Sequence, residues 1–387
     1  MRERGLGTIA SLCEQADDPP QGGINAADAG SLTRLPPFFI IGTERSGSNL
    51  LRLILNAHSG IAVPHPPHIL KFFSPLEESY GDLSQASAMQ ELVADVLALL
   101  DAHIYPWDRV IDPEKIIRKI HAAPLPKTLV GVFFSLYDEY LSQAGKRRWG
   151  CKSTFVIHHV ERVLTACPTA KFIVLVRDPR DVAVSSKRSI FNPFHPYFTA
   201  KLWREQQLEG LRWLTSARSG NFHLVRYEEL IEQPQETVMA ICRFLGEAYE
   251  PGMLEYYSTD SARKSRSLST SWQNLGAPIQ GLNRNKFKQG LSPYEIRIVE
   301  AMTGDLMTRF GYTMEFPAIG SAWPAFAPSA LRLFWFTVQD WRWRLSMEWR
   351  SWLHDKNYRL HWRRRLFLLR LRLRRSIMTR RSHAEHQ

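Results

Sequence analysis

The stretch PPFFIIGTERSGSNLLRLILNAH, residues 36–58, constrains the chain more than any other. Phe38 to Ile41 form a short apolar run of the kind buried inside a parallel sheet, where both faces are covered. Leu50, Leu51, Leu53, Ile54 and Leu55 then put apolar residues on most sides of a helix, which predicts a largely buried one. Between them lies the turn GTERSGSN, residues 42–49. A turn from a buried strand into a helix points several backbone N–H groups at one spot, and the helix dipole favours an anion there. Gly47 lets a ligand approach the backbone. Ser46, Ser48 and Asn49 add side-chain donors, and Arg45 adds a planar fixed charge. Glu44 reads as a brace for the loop.

The spacing Gly42-x4-Gly47 matches the frame of a nucleoside-triphosphate loop, but Ser48-Asn49 stands where that loop needs Lys-Ser/Thr. The lysine for the β- and γ-phosphates and the hydroxyl for Mg²⁺ are both missing, which disfavours a nucleoside triphosphatase. Further along, AKFIVLV (170–176) reads as a second buried strand and NFHLVRYEEL contains a third at 222–226. WGCKST (149–154) reads as a short strand or loop leading into a helix around 156–166. Helical patterns fall at 87–103, 128–143, 235–245 and 292–310, the last two opened by Pro234 and Ser292-Pro293. Strands alternating with helices predict an α/β, P-loop-like three-layer fold with a central parallel sheet. Residues 1–35, rich in Gly, Ala, Asp and Pro, read as a flexible segment. Residues 36–320 form the body, and Pro324 and Pro328 mark a linker into a basic, aromatic tail over 321–387. The four cysteines form no CxxC pair, which suits a reducing compartment.

A second constellation follows the strand at 170–176. In RDPRDVAVS, Arg177 ends the strand, Pro179 suits a first helical turn, and Ser185 lies about two turns in. Ligands of open α/β sheets bind at that carboxyl edge. With both loops in order, the chain resembles the sulfotransferases that use 3′-phosphoadenosine-5′-phosphosulfate (PAPS), over roughly residues 36–315. The first loop resembles their 5′-phosphosulfate loop, closest to the RSGTT form of tyrosylprotein sulfotransferases. The second resembles their 3′-phosphate motif, in which the arginine and the serine eight positions later hold that phosphate, here Arg177 and Ser185. Lys152, 25 residues before Arg177, stands where the family places an active-site lysine. Tyr227, in Arg226-Tyr227-Glu228, matches a nucleotide-contacting tyrosine. Lys286 falls in a segment, 283–290, that loosely matches a later basic-Gly motif.

The resemblance implies transfer of a sulfuryl group from PAPS to a hydroxyl acceptor, with in-line positioning, electrostatic stabilisation and no obligatory metal. It implies that Arg45 stabilises the leaving 5′-phosphate and that Lys152 contacts the sulfonate or bridging oxygen. Two departures concern the base. Thr154 replaces the histidine of cytosolic sulfotransferases, and His65 stands where tyrosylprotein sulfotransferases carry a glutamate. His65 is the first candidate for general base, His68 the second and Glu44 the third; His158 and His159 read as helix surface or core. The acceptor, whether carbohydrate, lipid or another alcohol or phenol, is left open. The alternatives are a P-loop kinase-like phosphotransferase, opposed by the missing lysine, and a membrane or nucleic-acid adaptor with a degenerate nucleotide site. Intact Arg45, Lys152, Arg177 and Ser185 oppose the adaptor.

The net charge of +12 is concentrated in the tail. Residues 331–387 hold fifteen Lys and Arg against four Asp and Glu, a net +11, so the rest of the chain carries +1. Six of the twelve tryptophans lie in the same stretch. Trp with Arg suits an anionic membrane surface. Packing on the body and nucleic-acid binding are the other readings, the last the least favoured. The alternation in LFLLRLRLRR also reads as a strand. Because the phosphate motifs and sheet strands all precede Pro324, the sequence predicts a body that folds without its tail. With no long apolar run and no signal-peptide pattern at the N-terminus, it predicts a cytoplasmic enzyme, with peripheral attachment to the cytoplasmic membrane face through residues 331–387.

Overall fold

The computed structural model describes residues 35–317 apart from 123, 124, 191 and 269, and residues 328–385 apart from 356. The expected flexible segment and the Pro324 linker lie outside the described residues. Five strands form one parallel sheet: β1 (Phe38–Gly42), β2 (Ile61–Ala62), β3 (Arg148–Cys151), β4 (Lys171–Val176) and β5 (Phe222–Arg226), in the order β2-β3-β1-β4-β5. The sequence reading missed only β2, whose two residues are too few to show a pattern. All five residues of β1 are buried, as a continuous apolar run requires. Their alternation feeds two cores. Phe39 and Ile41 join one with Phe172 and Val174 of β4, and Phe38 and Ile40 join another with Ile173 and Leu175. The expected α/β three-layer fold is therefore what forms.

The helices are, in chain order, α1 (Ser48–Asn56), α2 (Ile69–Phe73), α3 (Ala86–Asp101), α4 (Pro113–Ala122), α5 (Leu129–Ala144), α6 (Val160–Ala166), α7 (Pro179–Ser186), α8 (Pro196–Leu214), α9 (Tyr227–Glu232), α10 (Pro234–Leu245), α11 (Asp260–Leu268), α12 (Phe287–Gly290), α13 (Pro293–Arg309), α14 (Ala330–His354) and α15 (Tyr358–Glu385). Helix α6 begins later than its pattern predicts, because Thr154–His159 form a 3₁₀ turn. Helix α8 buries Gln206 and Gln207 among its apolar residues, which blurs its sequence signature.

The ends that matter for function are fixed by caps. Asp178 accepts from the Arg180 N–H at the start of α7. Arg180 is itself clamped at 2.6 Å between Asp178 and Glu300 of α13, so α7 is bolted to the far helix. Ser292 and Glu295 form a reciprocal capping box on α13.

The tail differs from one sequence expectation. LFLLRLRLRR is helical, inside α15, and not a strand. Alternation of Leu and Arg still lets Leu368 and Leu371, three apart, share one helical face, and both are buried in the main core. The tail also packs on the body. Phe336 of α14 is buried against Tyr197 and His195, and Asp340 accepts N–H bonds from Phe194 and His195 at 2.7 and 2.8 Å. Arg375 of α15 is buried, bound to Glu91 at 2.6 Å and Asp95 at 3.2 Å on α3. Cutting at the linker would expose these surfaces, so the tail is packed against the body along both helices.

Candidate active site

The loop after β1 owes its shape to unusual backbone angles. Gly42, Arg45 and Gly47 have φ of 132°, 72° and 88°. Gly47 has a second reason to be glycine: a Cβ there would stand 2.3 Å from the Tyr227 ring. Left-handed conformations alternating along a loop turn successive N–H groups inward as an anion-binding nest. The Ser46 Oγ and Asn49 Oδ1 atoms are buried with no partner. Buried polar atoms of this kind ask for a ligand or water.

The loop faces a cavity of about 560 Å³ at the carboxyl edge of the sheet. Arg45, Gly47, Ser48, Asn49, His65, Lys152, Arg177, Ser185, Tyr227 and Lys286 all line it. Ser46 lies behind, wholly buried. The two loops, 140 residues apart, touch directly: Arg45 Nε donates to Ser185 Oγ at 3.1 Å. Arg177 donates to the carbonyls of Arg45 at 3.1 Å and Asn283 at 3.0 Å, sits 3.7 Å from Asp181, and lies over the Tyr227 ring at 4.3 Å. The Tyr227 hydroxyl meets the Asn283 amide, and Asp181 accepts from the Phe287 N–H at 2.9 Å, which ties the Lys286 segment to α7. These contacts make one end of the cavity, rich in arginine.

The other end is built by histidines and aromatics. The His65 ring stacks on Tyr105 at 4.8 Å and lies 5.3 Å from His103 and 5.2 Å from Trp272. Both its ring nitrogens are buried without a hydrogen bond. His68, held at φ 57°, meets Ser153 Oγ at 3.0 Å through Nδ1 and packs edge-on to Phe155. Arg52, buried on α1, donates to Val63 O and Ser265 Oγ at 3.1 Å and so pins the strand leading to His65. His158 lies outside the cavity lining, as does His159.

Between the two ends stand Glu44 and Lys152. Burial, with Arg52 and Arg45 nearby, lowers Lys152 to about 8 against the pull of Glu44. Burial also lowers Arg45 to about 10, with Glu44 opposing and Arg177 adding, so it stays cationic at neutral pH. His65 and His68 are held well below the usual histidine range by burial first, then by neighbouring cations and histidines. Both are neutral at pH 7. Among the described residues, no group of three or more His, Cys, Asp or Glu gathers as a metal site.

Among the wall residues that sequence reasoning missed are Lys71, His103, Arg188, Trp272 and Arg364. Arg188 follows Ser185 by one helical turn, a signal that was available. Arg364 comes from α15 and carries no local signal, because only the tertiary fold brings it there.

Residues 36–251, more than half of the chain and all five strands, match the profile described as "Sulfotransferase family". The chain belongs to that family. The nodulation protein NoeE of Sinorhizobium fredii is similar, 24% identical over 303 residues, 71% of this chain and 65% of that protein. So is the 3-beta-hydroxysteroid sulfotransferase of Cavia porcellus, 29% identical over 125 residues, 26% of this chain and 40% of that protein. The chain thus spans less than two thirds of the curated relatives it matches. The sulfotransferase domain of the Synechococcus PCC 7002 olefin synthase shares the fold, with a TM-score of 0.52 and 23% identity over 73% of this chain and 96% of that one.

Proposed function

We propose that this protein transfers the sulfuryl group of PAPS to a hydroxyl acceptor and releases adenosine 3′,5′-bisphosphate (PAP). The observation that carries the reading is the direct Arg45–Ser185 contact, backed by Arg177 and Tyr227, at one end of a cavity with Lys152 at its centre. Two anion-binding loops that share a hydrogen bond fit a ligand with two phosphate groups. Arg177, Ser185 and Lys286 hold the 3′-phosphate, Tyr227 packs along the nucleotide, and the loop N–H groups with Ser46, Ser48 and Asn49 hold the phosphosulfate.

In the reaction, the bond from sulfur to the bridging phosphate oxygen breaks as a bond from sulfur to the acceptor oxygen forms. Arg45 stabilises the charge growing on the leaving phosphate, and Lys152 the bridging oxygen or sulfonate. The acceptor proton passes to His65. Its neutral ring with free nitrogens suits a proton acceptor, and an incoming anionic donor raises a pKa that burial and cations have lowered. The test is transfer of radiolabelled sulfate from PAPS across sugar, lipid, phenol and alkyl-alcohol acceptors, with and without EDTA. No transfer to any class would count against the reading.

The same proposal extends to where the protein works. Trp341, Leu345, Trp349 and Trp352 of α14, and Trp362, Leu366, Leu369, Leu373 and Ile377 of α15, are exposed and repeat at helical spacing. Each helix therefore carries an outward apolar stripe besides the face it packs inward. Exposed arginines such as Arg342, Arg350, Arg363 and Arg370 flank the stripes. Apolar area rimmed by exposed cations complements an anionic bilayer surface. No helix among the described residues is long and apolar enough to cross a membrane. Co-sedimentation with vesicles of anionic and of neutral lipid tests this. Salt-sensitive pelleting with anionic vesicles supports it, and equal behaviour on both refutes it.

A further inference from the structure

Helix α15 follows a simple rule along its inward face. Each arginine there meets a carboxylate: Arg365 binds Glu348 at 2.8 Å, Arg374 binds Asp95, and Arg375 binds Glu91 and Asp95. Arg364 breaks the rule. No ion pair with it occurs among the described residues. Its Nη1 lies 3.4 Å from His103 Nε2, its Nε is buried without a hydrogen bond, and its guanidinium carbon is 5.9 Å from the Phe72 ring. Removing a cation from water without a counter-charge is costly.

Glu44 attracts Arg364 without reaching ion-pair distance, and the position of Arg364 shows what a bound counter-charge would be. It lines the cavity at the histidine end, away from the Arg45–Ser185–Arg177 network. Its neighbour there is a second cation, Lys71, whose Nζ lies 3.5 Å over the Phe155 ring and 5.5 Å from the Phe72 ring. The carboxylates in the cavity wall are Glu44 and Asp181. Asp181 is engaged at the arginine end, and Glu44 sits beside Lys152 as well as these cations. Two cations on an aromatic floor, beyond those needed for the donor, match a ring or chain carrying an oxyanion.

We propose that α15 is a wall of the active site and that Arg364, with Lys71, recognises an anionic group on the acceptor: a carboxylate, phosphate or sulfate borne beside the reacting hydroxyl. This rests on the sulfotransferase reading, and it makes Arg364 a specificity residue contributed from beyond the family-matched region. The C-terminal helix then does two things at once. Its arginines paired to α3 hold it in place, and its unpaired one selects the substrate.

The test uses the full chain and phenyl phosphate as probe, with benzyl alcohol as its neutral match, titrated with PAP present and absent. PAP is titrated separately. Wild type is expected to bind phenyl phosphate with PAP already bound. Arg364→Gln should weaken that binding at least tenfold, with PAP affinity and benzyl alcohol binding within twofold of wild type. Arg364→Lys keeps the charge and should stay within about threefold, which separates lost charge from lost fold. Phenyl phosphate bound equally by wild type and Arg364→Gln would overturn the proposal, as would its failure to bind wild type. Failure of PAP alone to bind would count against the donor assignment, while the Arg364 dependence is still read from the PAP-free titration.

Discussion

Lowering the pH from 7.5 to 5.0 should cost this protein most of its stability, because it buries histidines in neutral form. His103 is held at about 3, mainly by burial and next by Arg364. His195, His223 and His361 are held at about 4, in each case mainly by burial. In the unfolded chain a histidine titrates near 6.5. The unfolded state therefore takes up protons first, and stability falls as the pH drops through 6.5 and continues to fall towards the folded-state values. At pH 5 the folded groups are still neutral, so each costs about 1.5 pH units of unfolded-state protonation, or about 2 kcal/mol. The four together come to about 8 kcal/mol, comparable to the whole stability of an ordinary domain. Asp181 and Glu228 act in the opposite sense. Burial raises both, so each returns some stability as it protonates at low pH. A net loss of at least about 4 kcal/mol is expected between the two pH values. Urea unfolding at pH 7.5 and 5.0 measures it. His195→Asn, which keeps a side-chain acceptor for the Tyr197 N–H, should recover about 2 kcal/mol of the difference. Stability at pH 5.0 within 1 kcal/mol of that at 7.5 would refute the reasoning (about half of one group's share).

Three further outcomes follow from the site and the tail. Arg177→Ala should mainly raise the Michaelis constant for PAPS, because its partner phosphate does not react, whereas Arg45→Ala should mainly lower turnover; steady-state kinetics separate them. His65→Ala should cut turnover about a hundredfold with PAP binding retained. In the wild type, kcat/KM for PAPS, which reports the unliganded enzyme, should stay level from pH 7.5 down through 6.5, since the His65 pKa lies well below before the donor binds, and fall above pH 8 as Lys152 loses its proton. Truncation before residue 328 should leave the body insoluble or unfolded by circular dichroism, since burial of Phe336, Tyr358, Leu368 and Leu371 alone is worth about 6 kcal/mol or more.

The legible parts of the chain were those in which one local pattern sets both structure and chemistry. Phe38–Gly42 runs straight into the Arg45 loop, and Lys171–Val176 runs straight into Arg177, so periodicity located the strands, and the turns that follow them line the cavity. The tail was illegible for a physical reason. Leu and Arg in alternation satisfy a strand period, yet residues 361, 364, 368, 371 and 375 also satisfy a helical one, and only the carboxylates of α3 decide between them. Arg364 was invisible for the same cause: its role depends on a cavity wall assembled from residues nearly 300 positions away. The order of the base candidates came from resemblance and position, and the structure adds that His65, His68 and Glu44 all line the one cavity.

The proposed donor site is tested most directly by calorimetric titration with PAP in EDTA. One PAP should bind per chain, and at a hundredfold excess over its dissociation constant it should stabilise the fold by about 2.7 kcal/mol. ATP with Mg²⁺ should not displace it. Absence of any PAP binding at millimolar concentration, alongside tight binding of MgATP, would contradict the account.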